Sequence, residues 1–538
     1  MGIKSLKLHR SDNKIIREQL IKALTVDYNE TNPVFTLRMS ERLQPEIYPN
    51  SIQRLNGRFF FIGREGLDKY LYILSLDEGL TNFEKFQGDI PERDQFEARA
   101  EIKRCPLNHH NAKVVQALFD FTRPILIGMQ NSIGLGDRLG LANPAHIRAV
   151  AGTPIKPLLA QQSIRELDRT ERKPEEVMDA AIWAVFQEGY KDGFGADADH
   201  LKTTDDIDIM MATGFTMFTI DPSDYVVNEA DFLPVQELEI RVKQLPWPEL
   251  SDTMDQCLHR YEGRVIDIDE AFVIQPTRED ILRALTKYGR VIAHTLKMYR
   301  HLKTRYRDNR TEIELSVDET ESVTQPFEHY LVVNELTRLG VKLVSLAPRF
   351  VGDFEKGIDY KGNLNVFKKE YQKHLVIARK LGGYKISLHS GSDKFSVYDV
   401  IGSLKEQGVV HIKTAGTSYL EALKTVAKNE PDLFREILDF SRDIYHTEKV
   451  TYHVSADINR VPRGIDCEND VLLQLLSLND TRQVLHVAFG KVLTSKRENG
   501  NFLFKDRILN CLKVNEEDHY TFLTNHMKKH IQPFLNSY

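Results

Sequence analysis

From about residue 122 onward, short apolar runs alternate with longer segments whose apolar residues recur every three to four positions, and each run ends in polar or glycine-bearing sequence. Short runs of this kind read as strands and the longer segments as amphipathic helices, so their alternation predicts βα units and a parallel sheet. In order, the runs are RPILIGM (123–129), KPLLAQQS (156–163), GFGADADH (193–200), GFTMFTIDPSD (214–224), EIELSVDET (312–320), KLVSLAPRF (342–350), YKISLHSGS (384–392) and VVHIKTAGT (409–417). Eight runs predict an α/β fold, a (β/α)₈ TIM-like barrel over residues 122–417, ringed by helices such as PEEVMDAAIWAVFQEGY (174–190). The long gap between the fourth and fifth runs predicts an insertion at about 225–276, expected above the barrel. RFFFIG and KYLYILSL predict strands in an N-terminal α+β extension (1–121), and residues 418–538 read as a mostly helical segment packed on the barrel.

Such barrels carry their chemistry at the C-terminal ends of the strands. In EIELSVD, Glu314 shares a strand face with Ser316 and Asp318, opposite Ile313, Leu315 and Val317, so it is expected to point into the barrel. A buried carboxylate there is either a proton-transfer group or half of a structural ion pair. Asp199 and His200 close the third run side by side, as a candidate base and a candidate metal ligand. His389, before the Ser-Gly-Ser turn of the seventh run, is a second candidate ligand. Glu355 is taken as the third, with Asp353, Asp318 and Glu319 as competitors. A His/His/carboxylate set with open positions suits a divalent cation such as Mn, Fe, Co, Ni or Zn. Arg349 and Lys413 are candidate anchors for an anionic substrate group, Lys413 alternatively forming a Schiff base. Ser163 reads either as a contact to a substrate hydroxyl or as a helix N-cap, given Glu166 three positions on. GLGDRLG (134–140) misses the dinucleotide spacing and reads as a turn.

Composition restricts the partners more than the fold. Of the 538 residues 41% are hydrophobic and 28% charged, and the formal net charge of -6 offers no basic footprint for nucleic acid. Cys105, Cys257, Cys467 and Cys511 are too scattered for a zinc knuckle or a disulfide framework, so a reducing cytoplasm is the expected compartment. With no signal-peptide pattern and no apolar stretch of about 18 residues, neither export nor a membrane span is expected.

The stretches GDRLGLANPAHIRA, LLAQQSIRELDRT, FQEGYKDGFGADADH, FTMFTIDPSD, SVDET, RFVGDFEKGIDYKG, YKISLHSGSDKFSVY, KTAGTSYLEA and YHVSADI, spread over about 134–458, resemble the tagaturonate epimerase family. The resemblance implies a metal-dependent isomerase that interconverts D-tagaturonate and D-fructuronate in galacturonate breakdown. It implies Asp199 as general base, Glu314 as general acid, and His200, His389 and Glu355 as metal ligands. A small sugar acid is then the expected partner, with self-association into a homo-oligomer left open. In that substrate pair the inverted carbon is β to the ketone, so enolisation does not acidify its hydrogen. Retro-aldol cleavage and re-addition is the expected route, and transient oxidation by a nicotinamide lacks a matching glycine motif. An aldolase that releases its fragments and a non-catalytic carbohydrate-binding barrel are the competing readings.

Overall fold

The computed structural model describes residues 46–75, 83–89, 101–270, 272–307 and 311–535; the first part of the expected N-terminal extension lies outside them. The chain divides into two compact units, Met1–Arg123 with Asp179–Gly193, and Pro124–Met178 with Phe194–Tyr538.

In the first unit, β1 (Glu46–Ile47), β2 (Gln53–Leu55), β3 (Arg58–Glu65), β4 (Asp68–Ser75) and β5 (Glu101–Pro106) form an antiparallel sheet in the order β1-β3-β4-β5, with β2 also on β3. RFFFIG and KYLYILSL are the β3–β4 hairpin, whose register brings Glu65 opposite Asp68. Its two-residue turn needs a left-handed first position, which Gly66 supplies at φ 62°. Phe60 packs edge-on against Phe119 at 5.2 Å between ring centroids.

In the second unit, β6 (Ser132–Leu135), β7 (Lys156–Ser163), β8 (Gly195–Leu201) and β9 (Met217–Ile220) precede a small hairpin, β10 (Ile266–Asp269) with β11 (Phe272–Ile274). β12 (Glu312–Val317), β13 (Ser345–Pro348), β14 (Lys385–Leu388) and β15 (Val410–Thr414) follow. The hairpin stands apart, while β12 pairs with β9 and β15 with β6, closing a parallel barrel in the order β12-β13-β14-β15-β6-β7-β8-β9. Among the described residues, no helix is long and apolar enough to cross a membrane.

The first barrel strand is SIGL, not the RPILIGM run expected from the sequence. Ile127 packs with Leu158 and Met217 instead, and the backbone N–H groups of Ile127 and Gly128 donate to the carboxylate of Glu312, the first residue of β12. The run therefore plugs the N-terminal end of the barrel. A plug is as apolar as a buried strand, so hydrophobicity alone does not separate the two. SIGL is short and carries Gly134, where a Cβ would come within 3.2 Å of the Gln161 side chain.

Residues 225–276 contain the helices Val235–Lys243 and Met254–Tyr261 besides the hairpin. They pack on the outer helices rather than over the mouth. Arg260 Nε donates to Glu335 at 2.8 Å, Tyr261 bonds the same carboxylate, and Ile268 and Ile274 cluster with Ile377. After β15 the chain is helical to Leu535 and builds its own core around Leu420, Phe434, Leu485 and Phe489. Its last helix, Glu516–Leu535, is tied to the loop after β14 where Asp393 receives Arg482 Nη2 at 2.8 Å and His526 Nε2 at 2.5 Å.

Candidate active site

TIM-barrel interiors are usually filled by branched apolar side chains; the upper interior here is polar. Lys413, from β15, stands among three carboxylates, its Nζ 2.8 Å from Asp197, 2.7 Å from Asp199 and 2.8 Å from Glu314, and it donates to Thr219 Oγ1 at 2.6 Å. Parallel register places Thr219, Glu314 and Ser345 side by side across β9, β12 and β13, and Ser345 Oγ donates to Glu314. Burial pushes the Asp197 carboxyl up to about 6 against the pull of Lys413. Burial would raise Asp199 and Glu314 as well, but Lys413 with the nearby histidines outweighs it and holds both below the usual carboxylate range. Both are therefore ionised at neutral pH.

Above this layer, His200 at the end of β8, Asp318 just past β12 and His389 just past β14 place their ligand atoms within 4.8 Å of one another. In a regular strand Asp199 and His200 would face opposite ways. The β8–β9 register shifts between Ala198 and Leu201, and His200 adopts φ 52°, so both side chains reach the same cavity. His200 Nδ1 lies 3.3 Å from Asp221 Oδ2, and His389 Nε2 lies 2.6 Å from Glu314 Oε1. Ionised carboxylates only accept, so these ring nitrogens carry the hydrogens. His200 Nε2 lies 3.8 Å from Asp199 Oδ1, and His389 Nδ1 lies 3.2 Å from Asp318 Oδ1. An imidazole whose far nitrogen is held by a carboxylate is the usual arrangement of a metal-binding histidine. Burial would lower His200, yet Asp199 and Asp221 push it up to about 10, as expected where a cluster of carboxylates favours positive charge. Two imidazoles and a carboxylate from three strand ends thus fit a divalent cation with open coordination positions.

Ser163, Asp199, His200, His389 and Lys413 all line one cavity. Ser163 also caps the helix Ile164–Thr170 by accepting the N–H of Glu166 at 3.2 Å, so both of its expected roles are compatible with its place. The structure does not bring Glu355 to the histidines: its carboxylate accepts from Lys361, Ser455 and Gln483, and Asp318 stands in its stead. Arg349 does not line the cavity. Lys413 lines it, but with three carboxylates and a hydroxyl around its ammonium it has no donor left for an anionic substrate. Glu314, the expected general acid, lies under the cavity, fully buried and engaged by Ser345, His389 and Lys413.

Sequence reasoning missed Arg138, Arg169, Lys356 and His486, which also line the cavity. Arg138 lies in GLGDRLG, the loop that leaves the true first strand; with that strand misplaced, its position at a strand end was hidden. His486 comes from the helix Asn479–Val487 and packs where Gly416 leaves no room for a Cβ. No local pattern announces that approach.

Residues 48–534 match the tagaturonate epimerase family. The chain belongs to that family. It is 40% identical over 490 residues to the tagaturonate/fructuronate epimerase of Thermotoga maritima, covering 90% of this chain and 96% of the relative. A glycerol-complexed crystal structure of the fructuronate-tagaturonate epimerase from Cohnella laeviribosi is similar at a TM-score of 0.84 and 36% identity, over 93% of this chain and 99% of that one. A second glycerol-complexed structure of that epimerase gives 0.83 and 34%, over 96% and 99%. The chain is accordingly an epimerase of the tagaturonate–fructuronate type, and the closed barrel agrees with the fold expected from its sequence.

Proposed function

We propose that this epimerase inverts the carbon β to the ketone of its uronate substrate by metal-assisted retro-aldol cleavage and re-addition. The observation that carries the reading is the meeting, in one cavity, of the His200–Asp318–His389 donor set with the ionised carboxylate of Asp199. His200, His389 and Asp318 would hold a divalent cation of the Mn, Fe, Co, Ni or Zn kind, which would supply Lewis acidity when bound.

Asp199 accepts the proton of the hydroxyl on the carbon to be inverted. The bond from that carbon to the carbon beside the ketone breaks, and its electron pair passes into the ketone to leave an enediolate. The carbon that lost the bond becomes an aldehyde. Turning the aldehyde presents its other face, the enediolate adds back, and Asp199 returns the proton, so no atom is gained or lost. Lys413 keeps Asp199 ionised, while Asp221 and Glu314 orient the two imidazoles. Four free cysteines, three of them buried, accord with work in a reducing cytoplasm.

Metal-loaded protein incubated with tagaturonate should form fructuronate, followed by NMR. Formation of three-carbon fragments without fructuronate would replace the epimerase reading with an aldolase.

A further inference from the structure

The residues that line the cavity fall into two groups of opposite chemistry. One carries the carboxylates and imidazoles of the proposed metal set. The other holds four cations, Arg138 and Lys356 from loops and Arg165 and Arg169 from the helix Ile164–Thr170, beside His486 from the C-terminal helices. Two of these are matched by carboxylates. Arg138 Nη2 meets Glu166 at 2.7 Å and Arg165 meets Glu319 at 3.3 Å. The other two are bonded to hydroxyls: Lys356 Nζ donates to Ser390 Oγ at 2.7 Å, and Arg169 donates to Tyr452 and, at 2.8 Å, to Thr451 Oγ1. Against two acids this wall carries four cations, an excess that suits an anion.

The same wall holds buried polar atoms with no partner. Arg138 is 5% exposed and its Nη1 donates to nothing, although Nε and Nη2 both bond a single oxygen of Glu166. His486 is 2% exposed and neither ring nitrogen has a partner. Buried donors and acceptors are rarely left unsatisfied in a native protein, and each costs about 1–3 kcal/mol when they are. Burial, with Arg138 and Lys356 adding to it, holds His486 far below the usual imidazole value. A neutral ring offers one N–H and one lone pair.

We propose that Arg138, Arg169, Lys356 and His486 form the subsite that takes the carboxylate of the sugar acid, and so set the preference for a uronate over a neutral ketose. The inference rests on the proposed reading of the site, since it places the ketone end at His200, Asp318 and His389 and the acid end at the cationic wall. With the ketone end taken up by the proposed cation and Asp199, the charges of Lys356 and Arg169, which no carboxylate matches, attract the acid end. A carboxylate oxygen also gives Arg138 Nη1 the acceptor it lacks. Only the N–H of His486 is needed for the acid, leaving its lone pair for a neighbouring hydroxyl.

The direct test is a crystal structure of the metal-loaded wild-type enzyme with fructuronate. The carboxylate is expected within hydrogen-bond distance of Lys356 Nζ and the Arg169 guanidinium; a carboxylate seated instead against His200, Asp318 and His389 would overturn the inference. Kinetics supply a second arm. Lys356→Met should raise KM for tagaturonate about 10- to 100-fold, the usual loss for a hydrogen bond to a charged group, with a smaller fall in kcat, and Lys356→Arg should recover most of the loss. A KM for Lys356→Met within threefold of wild type also overturns it. Wild-type turnover separates the two readings. If the wild-type enzyme fails to interconvert the two uronates, the proposed function fails, whereas the seat of the carboxylate decides the subsite in either case.

Discussion

His389 is held from below by Glu314, its Nε2 2.6 Å from Oε1, and that contact turns Nδ1 toward Asp318 and the cavity. Replacing the acceptor should loosen the imidazole without removing a ligand. Glu314→Gln is expected to fold and to bind its divalent cation about 10- to 100-fold more weakly, the usual effect of losing a carboxylate behind a metal-bound histidine. Metal titration of the purified variant measures this. Unchanged metal affinity with turnover down by about 10²- to 10⁴-fold would instead make Glu314 a proton-transfer group.

Asp318 and Glu355 compete for the third ligand position, and their surroundings make opposite predictions. Asp318→Asn should lose bound metal and turnover together. Glu355→Gln should keep the metal and lose about 1–3 kcal/mol of stability, because its acceptors hold Lys361, Ser455 and Gln483 in place. Metal content by mass spectrometry and thermal unfolding distinguish the outcomes. A chelator should abolish wild-type activity and added divalent metal restore it, whereas a His200→Ala, His389→Ala double variant should not respond to metal.

Carbon–carbon cleavage leaves the hydrogen on the inverted carbon in place. Deuterium at that carbon should therefore be retained in the product, with no exchange into solvent and little primary isotope effect. Washout would point to direct deprotonation, and a large primary effect with retention would point to hydride transfer.

Asp393 gives the fold a pH dependence. Burial alone would raise its pKa, but Arg482 and His526 outweigh burial and hold it well below the value of about 3.9 for an unfolded chain. A depressed carboxyl stabilises the fold fully above the unfolded value and less as pH falls through the folded one. Asp393→Asn should cost about 3–5 kcal/mol at neutral pH, the penalty for breaking a buried ion pair, and the gap from wild type should narrow below about pH 4. Denaturant unfolding of both proteins at several pH values measures it.

Seven of the eight strands were legible in the sequence because they join period, length and a polar end, and Asp199, His200 and His389 stood at those ends. RPILIGM misled because a plug and a buried strand share the same composition. The inward turn of His200 depends on a bulge, a one-residue irregularity with no composition of its own. Asp318 and Glu355 are not separable as ligands in the sequence, which does not show that Lys361, Ser455 and Gln483 already claim Glu355. Arg138 was hidden by the misplaced strand, and His486 because it reaches the cavity from a helix well beyond the barrel.

That reach fixes when the enzyme becomes complete. During synthesis Asp199, His200, Asp318 and His389 emerge before Tyr452 and His486, and the helix Glu516–Leu535 that clasps Asp393 emerges after them. A nascent chain therefore carries Arg138, Arg169 and Lys356 together with His200, Asp318 and His389 before it carries Tyr452 and His486, and the cavity lining is complete only once those two have joined it.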